Sequence, residues 1–308
     1  MKVKQPKAYH FSPKNKSDYT KNMEKIINYI IQQRLDSVDE SKTLHMGDKV
    51  VIKIDDIDHD LKETLKNTNF THLKLDESLV EKYQNFLFNK GIFGDNDNCT
   101  LQETLEARTH KAKNPAYTLY EDPKELMLIE LNAIGRYTGA ENTYLGYTAI
   151  NDLLRGKYPA IIQEENLYSL LINIALISQT LNRATSVVIP EAIRMQDTYG
   201  LDEMIYKAEN QLVEEVKAFI STSAGGTEFR QGKAPVKVCY HNTKGIMLGR
   251  TLLGLPGESE YLIPPSTQIK YTSYVYDGKH HLFTVEGVNV VCLYEEQEMS
   301  GIVPLFDE

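Results

Sequence analysis

The chain has 308 residues and a hydrophobic fraction of 41%, enough to build a full core in one large domain or two modest ones. Its net charge of −9 argues against general nucleic-acid binding, which needs a basic surface. Three cysteines without paired spacing (Cys99, Cys239, Cys292) give neither a disulfide framework nor a zinc knuckle and match a reducing compartment.

The chain opens on a basic stretch (Lys2, Lys4, Lys7, Lys14, Lys16) that reads as a solvated tail and holds no signal-peptide core. Met23, Ile26, Ile27, Ile30 and Ile31 then recur at helical spacing. Lys49 to Ile54 alternates as a short strand would. A helix is predicted from about Glu77 to Lys90, with Gly91 as its C-cap. The segment from Gly94 to Pro115 is polar and carries the predicted boundary between an N-terminal helical or mixed extension (1–115) and a second domain (116–308). Within it, Asp95-Asn-Asp97-Asn-Cys99 lacks the glycine and the glutamate of a calcium loop and reads as a turn.

Asp122-Pro123 is a good helix start, and Leu126, Ile129, Ala133 and Ile134 give that helix an apolar face, with Gly139 near its stop. Further helices are predicted over Tyr147–Leu154, Glu165–Ile177 and about Asp202 to Ala218. Glu165–Ile177 is apolar nearly all round, so it reads as deeply buried; Leu167 to Ile177 is too short for the roughly 20 apolar residues of a membrane span. Strands follow at Val236–Tyr240, Tyr261–Ile263, Gln268–Tyr276 and His281–Leu293. Helices first and strands later predict an α+β fold rather than alternating α/β. His280-His281 points its two rings to opposite faces of a strand, so no metal site is expected there, and none elsewhere.

Three segments of the second half carry chemistry. Thr180-Leu-Asn-Arg183 reads as an arginine ending a short extended segment. Phe219-Ile-Ser221-Thr222-Ser223 is an apolar strand start followed by three hydroxyls. Glu258-Ser-Glu260 leads into an apolar strand and places two carboxylates on one face, since i and i+2 project together. Neighbouring carboxylates repel, so a fold keeps them where a ligand or reaction uses them. One can stabilise developing positive charge while the other accepts a proton. Each segment alone has an ordinary reading: a solvated strand edge, a locally bonded turn, a surface arginine.

Their order resembles the R-S-E class of mono-ADP-ribosyltransferases, a class of bacterial toxins, secreted effectors and vertebrate ecto-enzymes: an arginine, a Ser-Thr-Ser strand, then Glu-x-Glu, with about forty residues between motifs. Upstream, Tyr137-Thr138-Gly139 and Tyr147-Thr-Ala-Ile150-Asn151-Asp-Leu-Leu154-Arg155 are similar to that family's helical lead-in. The likeness covers about Tyr117 to Leu293. It implies a helical lobe with two packed, mainly antiparallel sheets, NAD⁺ as substrate, no metal, and a host protein as target. It implies that Glu260 bonds the ribose 2′-hydroxyl and stabilises the oxocarbenium-like state, that Ser221 orients Glu260, and that Glu258 activates the acceptor, arginine in this pattern. It places Ser221, Thr222, Ser223, Arg183, Phe229 and Arg230 at the NAD⁺ site, and Leu252 to Gly257 in the target loop. The family's aromatic and glycine beside the arginine are here Asn182 and Ala184. Arg194 is the less favoured substitute, because Pro190-Glu191 reads as loop or helix.

The acidic run Glu295-Glu296-Gln297-Glu298 near a hydrophobic end resembles a type IV secretion signal and equally fits a charged tail. With no signal peptide, the expectation is an injected effector acting in host cytosol. An NAD⁺ glycohydrolase and a protein-binding module on a degenerate transferase fold are the alternatives.

Overall fold

The structure is a computed structural model, which describes residues 16–36, 51–53, 59–91, 93, 99–111, 127–138, 146–157, 161–183, 187–224, 234–248 and 260–288. Its first half is helical. Helix α1 (Lys16–Asp36) carries Met23, Ile27, Ile30 and Ile31 on one buried stripe. It packs on α2 (His59–Asn67), α3 (Glu77–Asn89) and, across the chain, α7 (Glu164–Arg183). The C-terminal end of α3 is built as its sequence predicts, and its start is capped by a side chain. The Asp76 carboxylate accepts from the backbone N–H of Leu79 at 3.1 Å, and Gly91 takes the left-handed conformation (φ 72°) just past the last turn.

Helices α4 (Leu101–Lys111), α5 (Leu128–Thr138) and α6 (Tyr147–Leu154) complete this lobe. The Asp122-Pro123 start and Gly139 lie outside the described residues. Helix α7 is its axis: residues 170–180 are all buried. A stretch apolar nearly all round has to be enclosed on every side, and α1, α5, α6 and the 3-10 turn at Phe70–His72 enclose it, burying Asn173, Ser178, Gln179 and Thr180 as well. One apolar cluster therefore runs across the predicted boundary near residue 115, joining Met23, Ile27 and Val80 to Leu128, Ile174 and Leu262.

The strands follow. A two-stranded ribbon pairs β1 (Val51–Lys53) with β2 (Ile161–Gln163). The main sheet contains β3 (Val187–Gln196), β4 (Val213–Glu215), β5 (Ile220–Ala224), β6 (Val236–Met247), β7 (Glu260–Ile263), β8 (Gln268–Tyr276) and β9 (His281–Gly287). Its order is β3-β5-β7-β6-β9-β8-β4, with β3 also paired to β6. All pairings are antiparallel except β6 with β9. The circuit β3-β5-β7-β6 closes on itself, so the two expected sheets are joined through β6 and fold over a second apolar cluster. Ala224, Tyr261 and Ile263 meet Val238, Ile269 and Phe283 there. The fold is α+β, as the element order predicts.

Three predicted boundaries are corrected. Helix α8 (Leu201–Glu209) stops well short of Ala218, because Asn210 caps it and Gln211 adopts φ 48°, turning the chain into β4. Strand β6 runs on to Met247, because it is paired on both edges. The segment around Pro190 is strand, not loop or helix. Pairing passes from Ile189↔Thr243 to Glu191↔His241, and Asn242, left between them, takes φ 49°. A proline without an N–H is tolerated at such an interruption of the ladder.

Gly245 in β6 marks the tightest approach in the sheet. A Cβ there would stand 2.6 Å from the Tyr261 ring and 2.7 Å from the Leu262 carbonyl oxygen. Tyr261 is fully buried and donates its hydroxyl to the Thr243 carbonyl at 2.6 Å, so it has no room to yield. Gly245→Ala is therefore expected to destabilise the fold by about 1–3 kcal/mol through overpacking, read as a lower urea midpoint at unchanged slope.

Candidate active site

Strands β5 and β7 pair as Ile220↔Ile263, Ser221↔Leu262, Thr222↔Tyr261 and Ser223↔Glu260. Residues opposite one another share a face, and faces alternate along a strand. Ser221, Ser223, Glu260 and Leu262 thus share one face, and Thr222, Tyr261 and Ile263 the other. The second face belongs to the inter-sheet cluster. The first turns to the helical lobe, where Phe219 and Leu262 join the larger core.

Glu260 is only 7% exposed. Its backbone is held on both sides, by the pairing with Ser223 and by the Leu248 N–H, which donates to the Glu260 carbonyl at 2.9 Å. Its carboxylate accepts a hydrogen bond from the Ser221 hydroxyl, Oγ to Oε1, at 2.6 Å. This diagonal contact across the strand pair is short, as charge-assisted O–H···O⁻ bonds are. Ser223 is buried directly opposite Glu260. Thr222 does not join them: its hydroxyl donates to the Tyr261 carbonyl at 2.7 Å on the far face and stitches β5 to β7.

The helices hold the approach to β5. The Tyr137 hydroxyl of α5 donates to the Phe219 carbonyl at 3.3 Å and accepts from the Asn151 amide of α6 at 3.2 Å. The Tyr137 ring meets the Phe219 ring edge-on, with centroids 5.3 Å apart. Burial raises the Tyr137 phenol above its usual range, so it stays a protonated donor. Tyr137 and Asn151, read from the sequence as packing in a helical lead-in, thus fix the strand two residues ahead of Ser221.

The two arginines stand on different elements. Arg183 is the last residue of α7 and not the end of an extended segment; its side chain lies outside what the structure describes. Arg194 lies in β3, which pairs with β5 only at Ala192↔Ala224 and Ile193↔Ser223. Where that pairing stops, the Arg194 guanidinium takes over, donating from Nη1 to the Ser221 carbonyl at 2.7 Å and from Nε to Gln196 Oε1 at 3.3 Å. It is half-buried, and two bonds leave further N–H donors of its five. No local alternation marks this strand, since Ala192 and Ile193 are adjacent and both buried, and Pro190 breaks the pattern upstream. Glu258, Phe229, Arg230, the loop from Leu252 to Gly257 and the acidic run at 295–298 lie outside the described residues.

The geometry therefore offers a buried carboxylate held by a serine hydroxyl, with a guanidinium from the neighbouring strand bonded to that serine's backbone carbonyl. This set can place a negative charge beside a developing cation and hold an anionic group nearby. Among the described residues, no group of three His, Cys, Asp or Glu side chains could hold a metal ion. No described helix is long and apolar enough to cross a membrane.

No family model matches the chain, and no curated protein matches it. Solved structures similar to it include the ADP-ribosyltransferase HopU1 of Pseudomonas syringae pv. tomato. That likeness has 18% identity and a TM-score of 0.45, and covers 61% of this chain and 86% of that one. An ADP-ribosyltransferase from Clostridium botulinum is similar at 18% identity and a TM-score of 0.39, over 61% of this chain and 96% of its own. The type III effector XopAI from Xanthomonas axonopodis pv. citri is similar at 14% identity and a TM-score of 0.44, over 90% and 96%.

Tyr137→Phe removes the hydroxyl that serves both Phe219 and Asn151 and leaves two buried polar groups without it. The expected cost is about 1–3 kcal/mol of stability, measured by urea unfolding.

Proposed function

We propose that this chain is an NAD⁺-dependent mono-ADP-ribosyltransferase that modifies a protein, on arginine, as a bacterial effector acting inside a host cell. The observation that carries the reading is the Ser221–Glu260 hydrogen bond, made in register on the face that the Ser-Thr-Ser and Glu-x-Glu motifs require. Arg194, on the adjoining strand, supports it.

In this reading Glu260 receives the ribose 2′-hydroxyl and stabilises the positive charge that grows on the ribose as nicotinamide leaves. A nearly buried carboxylate interacts with such charge more strongly than one in water, and its position is set before the reaction begins. Ser221 positions that carboxylate. Arg194, in place of Arg183, holds the phosphates, for which a guanidinium offers bidentate donors. Ser223 lines the same face, whereas Thr222 serves the sheet. Glu258 takes the proton of the attacking guanidinium nitrogen and so selects arginine, and Phe229 and Arg230 border the nicotinamide and phosphates. The loop from Leu252 to Gly257 and the N-terminal extension contribute to target binding.

Two measurements test these roles. Incubation with labelled NAD⁺ and host-cell lysate is expected to label protein, and Glu260→Gln to lower both labelling and NAD⁺ hydrolysis by about a hundredfold or more. Glu258→Gln is expected to abolish labelling and retain hydrolysis; equal loss of both would contradict its role as acceptor base. Labelling that survives Glu260→Gln would sink the site. Separately, Arg194→Lys is expected to raise the KM for NAD⁺ by about tenfold, with Arg183→Ala leaving it unchanged. The reverse outcome restores Arg183.

A further inference from the structure

A cleft of about 980 Å³ lies between the helical extension and the sheet, lined by α1, α2, the 3-10 turn, the end of α6 and the turns flanking β5 and β7. It is separate from the Ser221–Glu260 site: neither residue lines it. Its sheet wall is formed by residues 215–217 and Pro265-Ser266, at the far ends of β5 and β7 from Glu260. That wall is braced, since the Ser266 N–H donates to the Val216 carbonyl at 2.7 Å and the Val216 N–H to the Thr267 carbonyl at 2.8 Å.

The lining is basic in an acidic protein. Lys21, Lys62, Lys66, Lys74, Arg155 and Lys217 outnumber three glutamates, Glu24, Glu63 and Glu215, in a chain of net charge −9, and of these cations Arg155 also meets a carboxylate outside the lining, Asp152 at 4.0 Å. Two of the glutamates are engaged. Glu24 accepts from the Lys74 backbone N–H at 2.9 Å, and Glu63 accepts from the Asn67 amide at 3.1 Å and stands 4.0 Å from Lys66. Lys21, Lys74 and Lys217 are exposed, come from three separate segments, and make no salt bridge among the described residues. Like charges gathered from separate elements repel, and an anionic ligand relieves that repulsion. Between the cations lie the apolar side chains of Leu65, Phe70, Leu154, Val216 and Pro265.

We propose that this cleft docks an acidic segment of a partner protein, and, resting on the transferase reading, that the partner is the protein being modified. Carboxylates satisfy the lysines and interleaved apolar side chains satisfy the floor. A polyphosphate backbone has no use for that floor.

The test uses the full chain and fluorescence anisotropy. The probe is a fluorescein-labelled dodecapeptide alternating glutamate with leucine and serine. The same peptide with glutamine for glutamate and a labelled dodecathymidylate are compared with it. The acidic peptide is expected to bind with a dissociation constant on the order of 10 µM, weakening as salt rises. The variant Lys21→Glu/Lys74→Glu/Lys217→Glu, checked for an unchanged melting temperature, is expected to weaken it by roughly tenfold or more. Its NAD⁺ hydrolysis is expected to stay at the unsubstituted level while its protein labelling in lysate falls. Equal binding of the glutamine peptide, tighter binding of the oligonucleotide, no binding of the acidic peptide, or an unchanged constant in the triple variant would each overturn the proposal. NAD⁺ hydrolysis read in parallel separates the two ideas. Hydrolysis without peptide binding rejects the cleft alone, and binding without any NAD⁺ consumption rejects the transferase reading.

Discussion

A carboxylate taken almost out of water needs a donor, and the second half of this chain is organised around supplying one. Glu260 is 7% exposed and receives the Ser221 hydroxyl at 2.6 Å. That bond exists only in one register of β5 against β7, because a slip of one residue would send every side chain to the opposite face. The register is in turn fixed by features on both faces. Thr222 and Tyr261 lock the far side through side-chain bonds to backbone carbonyls. Phe219 and Leu262 lock the near side by burial among the helices, with Tyr137 gripping the Phe219 carbonyl. Small residues do the placing and large ones keep them from moving.

The sheet is held together by one strand with three neighbours. β6 pairs with β3, β7 and β9. Its early residues contribute Val236 and Val238 to the inter-sheet cluster, and its end contributes Ile246 to the helical core. Gly245 stands where the strand passes from one role to the other, beneath the Tyr261 ring. Arg194 reaches the site through the same connection, since β3 lies along β6 for most of its length and touches β5 at only two positions.

Much of this is legible in the residues themselves. Apolar character nearly all round α7 means burial on all sides, and residues 170–180 are buried. Ser221 and Glu260 are legible as a pair because period-two alternation sends both to one face. The misreadings share a cause, which is that local signals are overruled at longer range. Pro190 looks like a break, but pairing on either side of it carries the strand through. Residues 210–218 keep a helical pattern of apolar positions, but the left-handed Gln211 ends the helix. Thr222 sits inside the motif and yet points away from the site, a consequence of alternation that motif matching ignores. Arg194 lies on the strand next to β5, a placement that distance along the chain does not reveal.

The apolar cluster that crosses residue 115 has a bearing on how the molecule can be divided. Met23, Ile27 and Val80 share a core with Leu128, Ile174 and Leu262, and Leu262 is two residues from Glu260 on the same strand. Cutting the chain between its helical extension and its strand-rich half would not release two working parts. It would strip cover from α7, which is buried all round over residues 170–180, and leave a fragment prone to self-association. Loss of activity in such a fragment would report an opened interior and say nothing about recognition. Single-residue changes at the solvent-facing rim, rather than deletions, are the means of asking what the extension contributes.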